Sequence, residues 1–185
     1  MVRPAIRRAA AIIRAGGVVA YPTEAVWGLG CDPLDAEAVA RVLAIKERPA
    51  SMGLILIAAT IEQLEPWIEP LSPELRAAVE ATWPGPVTWV VPARPWVPHW
   101  VHGGRESLAV RVTDHAQSAA LCRETGFPIV STSANRSGHP PARTAVQVRR
   151  WFGDEVDLIL GGATGGRDRP SEIRDASSGR LIRSA

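Results

Sequence analysis

The chain has 185 residues, of which 46% are hydrophobic and 22% are charged. These values are typical of a single globular domain, and they exclude a disordered, collagen-like or coiled-coil chain. The formal net charge is only +2, which is too small for nonspecific nucleic-acid binding to be the main function, because that affinity grows with the number of phosphates neutralised. Any basic site must therefore be local.

The cysteines and the apolar stretches exclude further classes. Cys31 and Cys122 lie far apart and belong to no CxxC or Cys/His cluster, so we expect two buried thiols rather than a disulfide framework or a zinc site. The longest apolar stretch, residues 53–60, is much shorter than the ~20 residues that span a bilayer, and the first residues lack the pattern of a signal peptide. We therefore expect a cytoplasmic protein without membrane contact.

The spacing of apolar residues predicts helices along the whole chain. They are expected at residues 4–15, at 35–46, after a capping box at 60–63, from 72 to about 83, at 114–125 and at 144–152. Each of the four longer helices after the first begins at a residue whose side chain can accept a hydrogen bond from the first turn. These expected caps are Asp35, Ser72, Asp114 and Thr144.

Short strands are predicted between these helices, at residues 18–21, 54–59, 87–92, 107–112, 128–132, 156–160, 171–175 and 180–183. Strands and helices interleave without a linker, a repeat or a shift in composition, which predicts one α/β domain over residues 1–185. The concentration of strands near the end favours a mixed sheet over a purely parallel one. Neither GxGxxG after the first strand nor GxxxxGK[ST] is present, so a nucleotide would be bound without a Rossmann or P-loop motif.

The first candidate site is the loop that follows the first strand. Thr23 and Glu24 lie at the end of that strand, and Gly28 and Gly30 follow closely. Open α/β sheets bind ligands at strand ends, which makes this loop a candidate. A turn whose glycines permit positive φ angles explains the pattern equally well.

The second candidate site is the pair Lys46 and Arg48, at a helix end before Pro49. Lys46 is the only lysine among the 21 basic residues. Lysine as a point charge and arginine as a planar fork can hold a polyphosphate from two directions. The alternative is a pair of cations that complements the helix dipole; the rarity of lysine favours phosphate. We expect Lys46 to lie at the surface, so that its replacement costs little stability.

Two strands carry further polar residues. Alternation along 107–113 places Ser107, Arg111 and Thr113 on one face. An arginine on an apolar strand needs an edge position or a carboxylate partner, and a ligand's carboxylate would serve. The strand at 128–132 continues into a loop rich in hydroxyl groups, residues 131–138, which can bind oxyanions without net charge. An ordinary Ser/Thr turn is the alternative for that loop.

Seven segments, in series, resemble the YrdC-type family, and within it the short bacterial threonylcarbamoyl-AMP synthases. These segments are YPTEAVWGLGCDP, the KxR of Lys46 and Arg48, GLILIA, WPGPVT, SLAVRVTDH, STSANRSG and PSEIRD. The resemblance implies a twisted, mixed open sheet flanked by helices around a concave, basic cavity. It also implies that L-threonine, bicarbonate and ATP are converted to L-threonylcarbamoyl-adenylate and pyrophosphate, for the threonylcarbamoyladenosine modification of tRNA.

The same resemblance implies a role for individual residues. The threonine contacts are Thr23, Arg111, Ser131 and Ser171. The ATP contacts are Lys46, Arg48, Ser107, Ser133, Asn135 and Arg183. Lys46 and Arg48 are the catalytic candidates, because they would stabilise the departing pyrophosphate, and Glu24 is a candidate acceptor of a proton from the amine.

The resemblance also implies cofactors and partners. Mg²⁺ enters with ATP, and no protein-bound metal site is expected. The product passes to the proteins of a tRNA threonylcarbamoyl transferase complex, and weak binding of tRNA itself is compatible with this role.

The chain departs from the longer relatives in two places. They carry a histidine after the KxR loop, where this sequence reads Gly53-Leu54-Ile55-Leu56-Ile57, and they carry an additional C-terminal domain. We therefore expect closure over the substrates to depend on residues 165–167.

The alternative function is a noncatalytic module that binds structured RNA, against which the small net charge argues. A carbamoyl-adenylate enzyme of hydrogenase maturation is a third reading, and the CxxC zinc motifs of those enzymes are missing here.

Overall fold

The computed structural model describes residues 3–184. The helices are α1 (Pro4–Arg14), α2 (Ala36–Ile45), α3 (Pro73–Glu80), α4 (His99–His102), α5 (Ala116–Thr125) and α6 (Ala145–Phe152), with 3₁₀ turns at Ala50–Met52 and Ile61–Gln63. The five longer predicted helices are present, the short helix predicted after residues 60–63 is only a 3₁₀ turn, and α4 was not predicted. Within residues 3–184, no helix combines the length and the apolar character that crossing a membrane requires.

The strands are β1 (Val19–Pro22), β2 (Trp27–Gly30), β3 (Ile55–Ala58), β4 (Val87–Pro92), β5 (Ser107–Val112), β6 (Ile129–Ser133), β7 (Leu158–Ile159), β8 (Glu172–Asp175) and β9 (Leu181–Arg183). They form one sheet in the order β7-β1-β2-β6-β3-β5-β4-β8-β9. The pairs β1–β7, β3–β5 and β4–β8 are parallel and the others antiparallel. The predicted mixed sheet flanked by helices is confirmed.

Strand β2 occupies a segment for which we expected a glycine-containing turn. Gly28 and Gly30 are strand residues, and neither has a positive φ angle. A Cβ atom on Gly30 would lie 2.5 Å from the carbonyl oxygen of Val130 and 2.7 Å from a ring carbon of Tyr21. Glycine is needed here because the tyrosine ring and the neighbouring strand leave no room for a side chain, so the turn reading was wrong.

Three of the expected helix caps are present. The side chains of Asp35, Ser72 and Thr144 accept hydrogen bonds from the first turns of α2, α3 and α6. At α6 the contact is a full capping box with Gln147. Each cap satisfies a backbone donor that the helix itself leaves unpaired.

Two cap predictions were wrong. Helix α5 is capped by His115, whose Nδ1 accepts from the Ser118 amide at 3.4 Å, and not by Asp114. Thr60 makes no capping hydrogen bond; the amide nitrogen of Ala59 donates to Gln63 Oε1 at 2.8 Å instead. The start of α5 is shifted by one residue relative to the sequence pattern, which is the usual uncertainty of helix boundaries. The turn at Ile61–Gln63 does begin after Thr60, but without the side-chain hydrogen bond that a capping box requires.

The core lies on both faces of the sheet. Along β1, Val19 and Tyr21 pack with α1 and α5, while Val18 and Ala20 pack with α2 and α6. Alternate strand residues thus enter opposite clusters, as strand geometry requires. Cys31 and Cys122 are buried free thiols, one in each cluster, as expected.

The face that packs against α1 and α5 also carries the polar residues of interest. Ile57, a member of that cluster, pairs in register with Arg111 of β5. Residues paired in register point to the same side of a sheet. The part of this face beyond α1 and α5 forms the floor of a cavity, which is described next.

Candidate active site

A cavity of about 640 Å³ lies over the middle and the β9 side of the sheet. Its floor is made by alternate strand residues, among them Ile55 of β3, Val90 of β4, and Ser107, Ala109 and Arg111 of β5. The register pairs Ile55 and Val90 with Ala109. The predicted alternation along β5 is therefore confirmed, and it places the arginine inside the cavity.

Most of the predicted contact residues meet in this cavity, although they are spread over the chain. Lys46 and Asn135 are the exceptions. The predicted residues that line the cavity are Thr23, Arg48, Ser107, Arg111, Ser131, Ser133, Ser171 and Arg183. The sheet order explains the meeting, because β6, β5 and β9 carry their residues onto one face while the loops after β1 and α2 close the sides.

The lining is strongly basic. It contains six arginines and two carboxylates, which are Arg48, Arg105, Arg111, Arg167, Arg169, Arg183, Glu24 and Asp175. Burial lowers the pKa of Arg183, and the nearby charges of Arg111 and Arg48 lower it further. Burial also lowers the pKa of Arg48, with Arg105 adding to the effect. Cations that repel one another in a confined space form a site for a multiply charged anion.

Glu24 and Arg111 form a buried ion pair at the floor. Arg111 Nη2 lies 3.3 Å from Glu24 Oε2, and both side chains are more than nine-tenths buried. Thr113 Oγ1 donates a hydrogen bond of 2.6 Å to the other oxygen, Glu24 Oε1. The protein itself therefore supplies the carboxylate partner that a buried arginine on this strand was expected to need.

The same surroundings set the ionisation of Glu24. Burial raises the pKa of this carboxyl, but the charge of Arg111 and the Thr113 hydrogen bond outweigh it, and the pKa is lowered overall. A carboxylate with a lowered pKa is a weak proton acceptor. This argues against the expected role of Glu24 as the base for the amine.

Lys46 is buried and faces the loop after β6. Its side chain donates to the carbonyl oxygen of Ser133, to the carbonyl oxygen of Asn135 at 2.9 Å and to Asn135 Oδ1 at 3.1 Å. Only 2% of the residue is exposed, so the expectation of a surface lysine was wrong. Burial, and then the charge of Arg48, lowers the pKa of Lys46 to about 8.

The loop after β6 is held by a network and is not an ordinary Ser/Thr turn. Ser133 Oγ donates to Asn135 Oδ1 at 2.6 Å, and Asn135 Nδ2 donates to the carbonyl oxygens of Arg136 and His139 at 3.0 and 2.7 Å. The Ser137 amide also donates to the Lys46 carbonyl at 2.8 Å. Lys46 and Asn135 thus lie behind Ser133 and fix its position at the cavity wall.

The opposite wall is closed by β8 and β9. Arg183 Nη2 donates to the carbonyl oxygen of Ser171 at 2.7 Å. Ser171 Oγ lies 3.1 Å from Thr88 Oγ1, at hydrogen-bonding distance. These contacts link the edge strand β9 to β4 through Ser171, which directly precedes β8.

Residues 165–167, which we expected to form a lid, lie along the loop after β1. The Gly165 amide donates to the Thr23 carbonyl at 3.0 Å, and the Arg167 amide donates to the Glu24 carbonyl at 3.1 Å. The Arg167 side chain forms an ion pair of 3.2 Å with Asp114. The segment therefore borders the cavity next to the Glu24 and Arg111 pair.

His102 and Arg105 are among the lining residues that were not found from the sequence. His102 ends α4, and Arg105 follows it in the turn. His102 Nδ1 is buried without a hydrogen-bond partner in the described structure. The only sequence signal for α4 was Gly103, which ends the helix in the left-handed conformation. A helix of four residues is too short to show the apolar periodicity by which the other helices were predicted.

Comparison with known proteins is consistent with this geometry. Residues 11–185 match the model of the Sua5_yciO_yrdC family, described as "Telomere recombination". The chain is 53% identical over 180 residues to a threonylcarbamoyl-AMP synthase of Cellvibrio japonicus, covering 97% of this chain and 95% of that protein. It is 56% identical over 178 residues to the protein of that name from Halorhodospira halophila, covering 96% and 93%.

A solved structure shares the fold. The crystal structure of P. abyssi Sua5 complexed with L-threonine superposes with a TM-score of 0.89 at 36% sequence identity. The match covers 95% of this chain, which spans about half, 52%, of the Sua5 chain.

Proposed function

The chain belongs to the Sua5/YciO/YrdC family, and from this membership and the cavity we propose that it forms L-threonylcarbamoyl-adenylate and pyrophosphate from L-threonine, bicarbonate and ATP. It is then an enzyme of the nucleotidyltransferase class. The observation that carries the proposal is the cavity itself, in which most of the predicted threonine and ATP contacts share one space with six arginines.

The proposed threonine site is the deep part of the cavity. Thr23, Arg111, Ser131 and Ser171 are each less than 10% exposed. Arg111 is the partner for the amino acid's carboxylate, since its Nε is buried without a hydrogen-bond partner in the described chain. Hydroxyl groups around a single cation suit a small, polar amino acid.

The proposed ATP site is the more open part, with Arg48, Ser107, Ser133 and Arg183. The lowered pKa values of Arg48 and Arg183 reflect burial and then repulsion from neighbouring arginines. A triphosphate would relieve that repulsion and bind strongly. Lys46 and Asn135 would contribute indirectly, by fixing the loop that presents Ser133.

The proposed chemistry needs no protein nucleophile. The threonine amine combines with bicarbonate to form a carbamate and water, and a carbamate oxygen attacks the α-phosphorus as pyrophosphate departs. The cavity contributes by holding the two reactants in contact and by placing Arg48 and Arg183 where negative charge accumulates on the leaving group.

Mg²⁺ would be held mainly by the phosphates. Within residues 3–184, no group of three His, Cys, Asp or Glu side chains is arranged to hold a metal ion. The cavity carboxylate Glu24 is also engaged by Thr113 and Arg111. When bound with ATP, Mg²⁺ would neutralise part of the phosphate charge.

The adenylate would pass to the proteins that modify tRNA. We propose a cytoplasmic location on this ground, since the substrate tRNA is there. Direct tRNA binding would be weak, because the net charge of the chain is small.

The test is pyrophosphate release with ATP and Mg²⁺, with threonine and bicarbonate omitted in turn, followed by mass spectrometry after labelled bicarbonate is supplied. We expect release only when both are present, and a labelled product with the mass of threonylcarbamoyl-adenylate. Arg48→Met should reduce release strongly, whereas Arg94→Met, at an exposed ion pair with Glu69, is the matched control. RNA binding without pyrophosphate release would favour the alternative of a noncatalytic module.

A further inference from the structure

The Glu24 and Arg111 pair has features that a purely structural ion pair does not need. Their charged atoms lie 3.3 Å apart, yet Glu24 Oε2 and Arg111 Nε are both buried and have no hydrogen-bond partner among residues 3–184. Buried charged groups are costly unless their hydrogen-bonding capacity is used. One acceptor and one donor therefore remain without a partner, on two side chains that form an ion pair and line the same cavity.

The position of Glu24 is fixed by its other oxygen. Thr113 Oγ1 donates to Oε1, and the same Thr113 oxygen accepts from the His115 amide at 3.2 Å. The backbone carbonyl of Glu24 accepts from the Arg167 amide. The carboxylate is thus held from two sides, and only Oε2 is directed to the arginine.

We propose that Glu24 Oε2 receives the α-ammonium group of the amino-acid substrate while Arg111 receives its carboxylate. The inference rests on the proposed function, because it takes an α-amino acid as the ligand. An α-amino acid carries its two charges on groups separated by a single carbon, and the receptor carries the opposite charges on adjacent groups. Each charge of the ligand meets its complement, and both unpaired atoms gain a partner.

The proposal distinguishes binding the ammonium from removing its proton. The titratable groups that face Glu24 are Tyr21 of β1, Arg111 of β5 and His115 at the start of α5. The pKa of Tyr21 is raised by burial, so that it stays neutral. Because the pKa of Glu24 is lowered by Arg111 and Thr113, Glu24 remains an anion that selects the charged form of the amine. The ammonium proton passes to solvent water before the free amine combines with bicarbonate.

The test compares two ligands that differ only at the amine. L-threonine carries the α-ammonium, and (R)-3-hydroxybutanoate has the same carboxylate and hydroxyl without it. Affinities are measured by calorimetry with an ATP analogue that has a methylene bridge between the α and β phosphorus atoms, so that no reaction occurs. Glu24→Gln should weaken threonine by roughly 10- to 100-fold, the value of a hydrogen bond to a charged partner, and change (R)-3-hydroxybutanoate by less than about threefold.

Two further variants distinguish binding of the ammonium group by Glu24 from a role in which Glu24 only positions Arg111. Arg111→Gln should weaken both ligands, because both carry the carboxylate. Asp175→Asn removes the other carboxylate of the lining and should leave the preference for threonine unchanged. If Glu24→Gln weakens the two ligands equally, Glu24 only positions the arginine and the proposal is overturned.

The wild-type protein provides a measurement that does not depend on the folding of a variant. As pH rises through the pKa of the threonine amine, affinity for threonine should fall relative to that for (R)-3-hydroxybutanoate. A constant ratio would overturn the proposal. Wild-type protein that makes no labelled adenylate would instead contradict the proposed function, so the two failures are distinguishable.

Discussion

Replacement of Lys46 by methionine tests the most unexpected feature of the site. Methionine is one atom shorter than lysine, stays unbranched, and loses the three hydrogen bonds to the loop after β6. The Asn135 carbonyl loses its lysine partner, and an unsatisfied buried carbonyl costs about 1–3 kcal/mol. Removing the buried cation offsets part of this cost, since the ammonium group no longer has to be desolvated on folding. We expect a net loss of about 1–2 kcal/mol in the free energy of unfolding.

Urea unfolding followed by circular dichroism measures this loss, and pyrophosphate release measures its effect on function. Lys46→Arg should not restore either, because three oxygens converge on a compact ammonium that a planar guanidinium does not replace. Arg94→Met, at an exposed ion pair, should cost less than about 1 kcal/mol. If Lys46→Met unfolds like the wild type and loses only affinity for ATP, the lysine contacts phosphate directly and our reading of the loop is refuted.

Three further predictions concern the floor, the core and the sheet. Arg111→Ala should raise the KM for threonine roughly 10- to 100-fold and that for ATP much less; equal changes in steady-state kinetics would reassign the arginine. Burial raises the pKa of Cys122 from 9.0 to about 12, so the unfolded thiol ionises first and stability should fall above pH 9. Cys122→Ala should flatten that fall in urea titrations at several pH values. Gly30→Ala should cost about 1–3 kcal/mol by overpacking against Tyr21, whereas Gly161→Ala, with open space around it, should melt like the wild type.

The elements of the fold were predictable wherever a local pattern was long enough. Helices with a polar cap and apolar spacing, such as those begun by Asp35 and Thr144, were located to within a residue or two. Strand β2 was not, because Gly28 and Gly30 resemble turn residues, and the need for glycine at position 30 arises from Val130 and Tyr21, which pack against it from the neighbouring strands. That constraint is tertiary, and no local pattern carries it.

The candidate site was predictable in its membership and less so in its contacts. The resemblance and the strand alternation selected residues that meet in one cavity. The partners of those residues depended on which loops cross, so the pairing of Arg111 with Glu24 and of Lys46 with Asn135 could not be read from spacing. The rarity of lysine drew attention to Lys46, but its hydrogen bonds to the loop after β6 follow from the tertiary fold and from no local pattern.

The burial of the two subsites sets the order in which substrates bind. The proposed threonine contacts are all buried, whereas Arg48, Ser107 and Ser133 are half-buried and Arg183 is exposed. A nucleotide on the outer residues would cover the inner ones, so threonine should bind first. The methylene-bridged ATP analogue should then be a competitive inhibitor against ATP and an uncompetitive one against threonine, at saturating bicarbonate. Noncompetitive inhibition against threonine would show that it also reaches its site with the nucleotide bound, and would contradict the stacked arrangement.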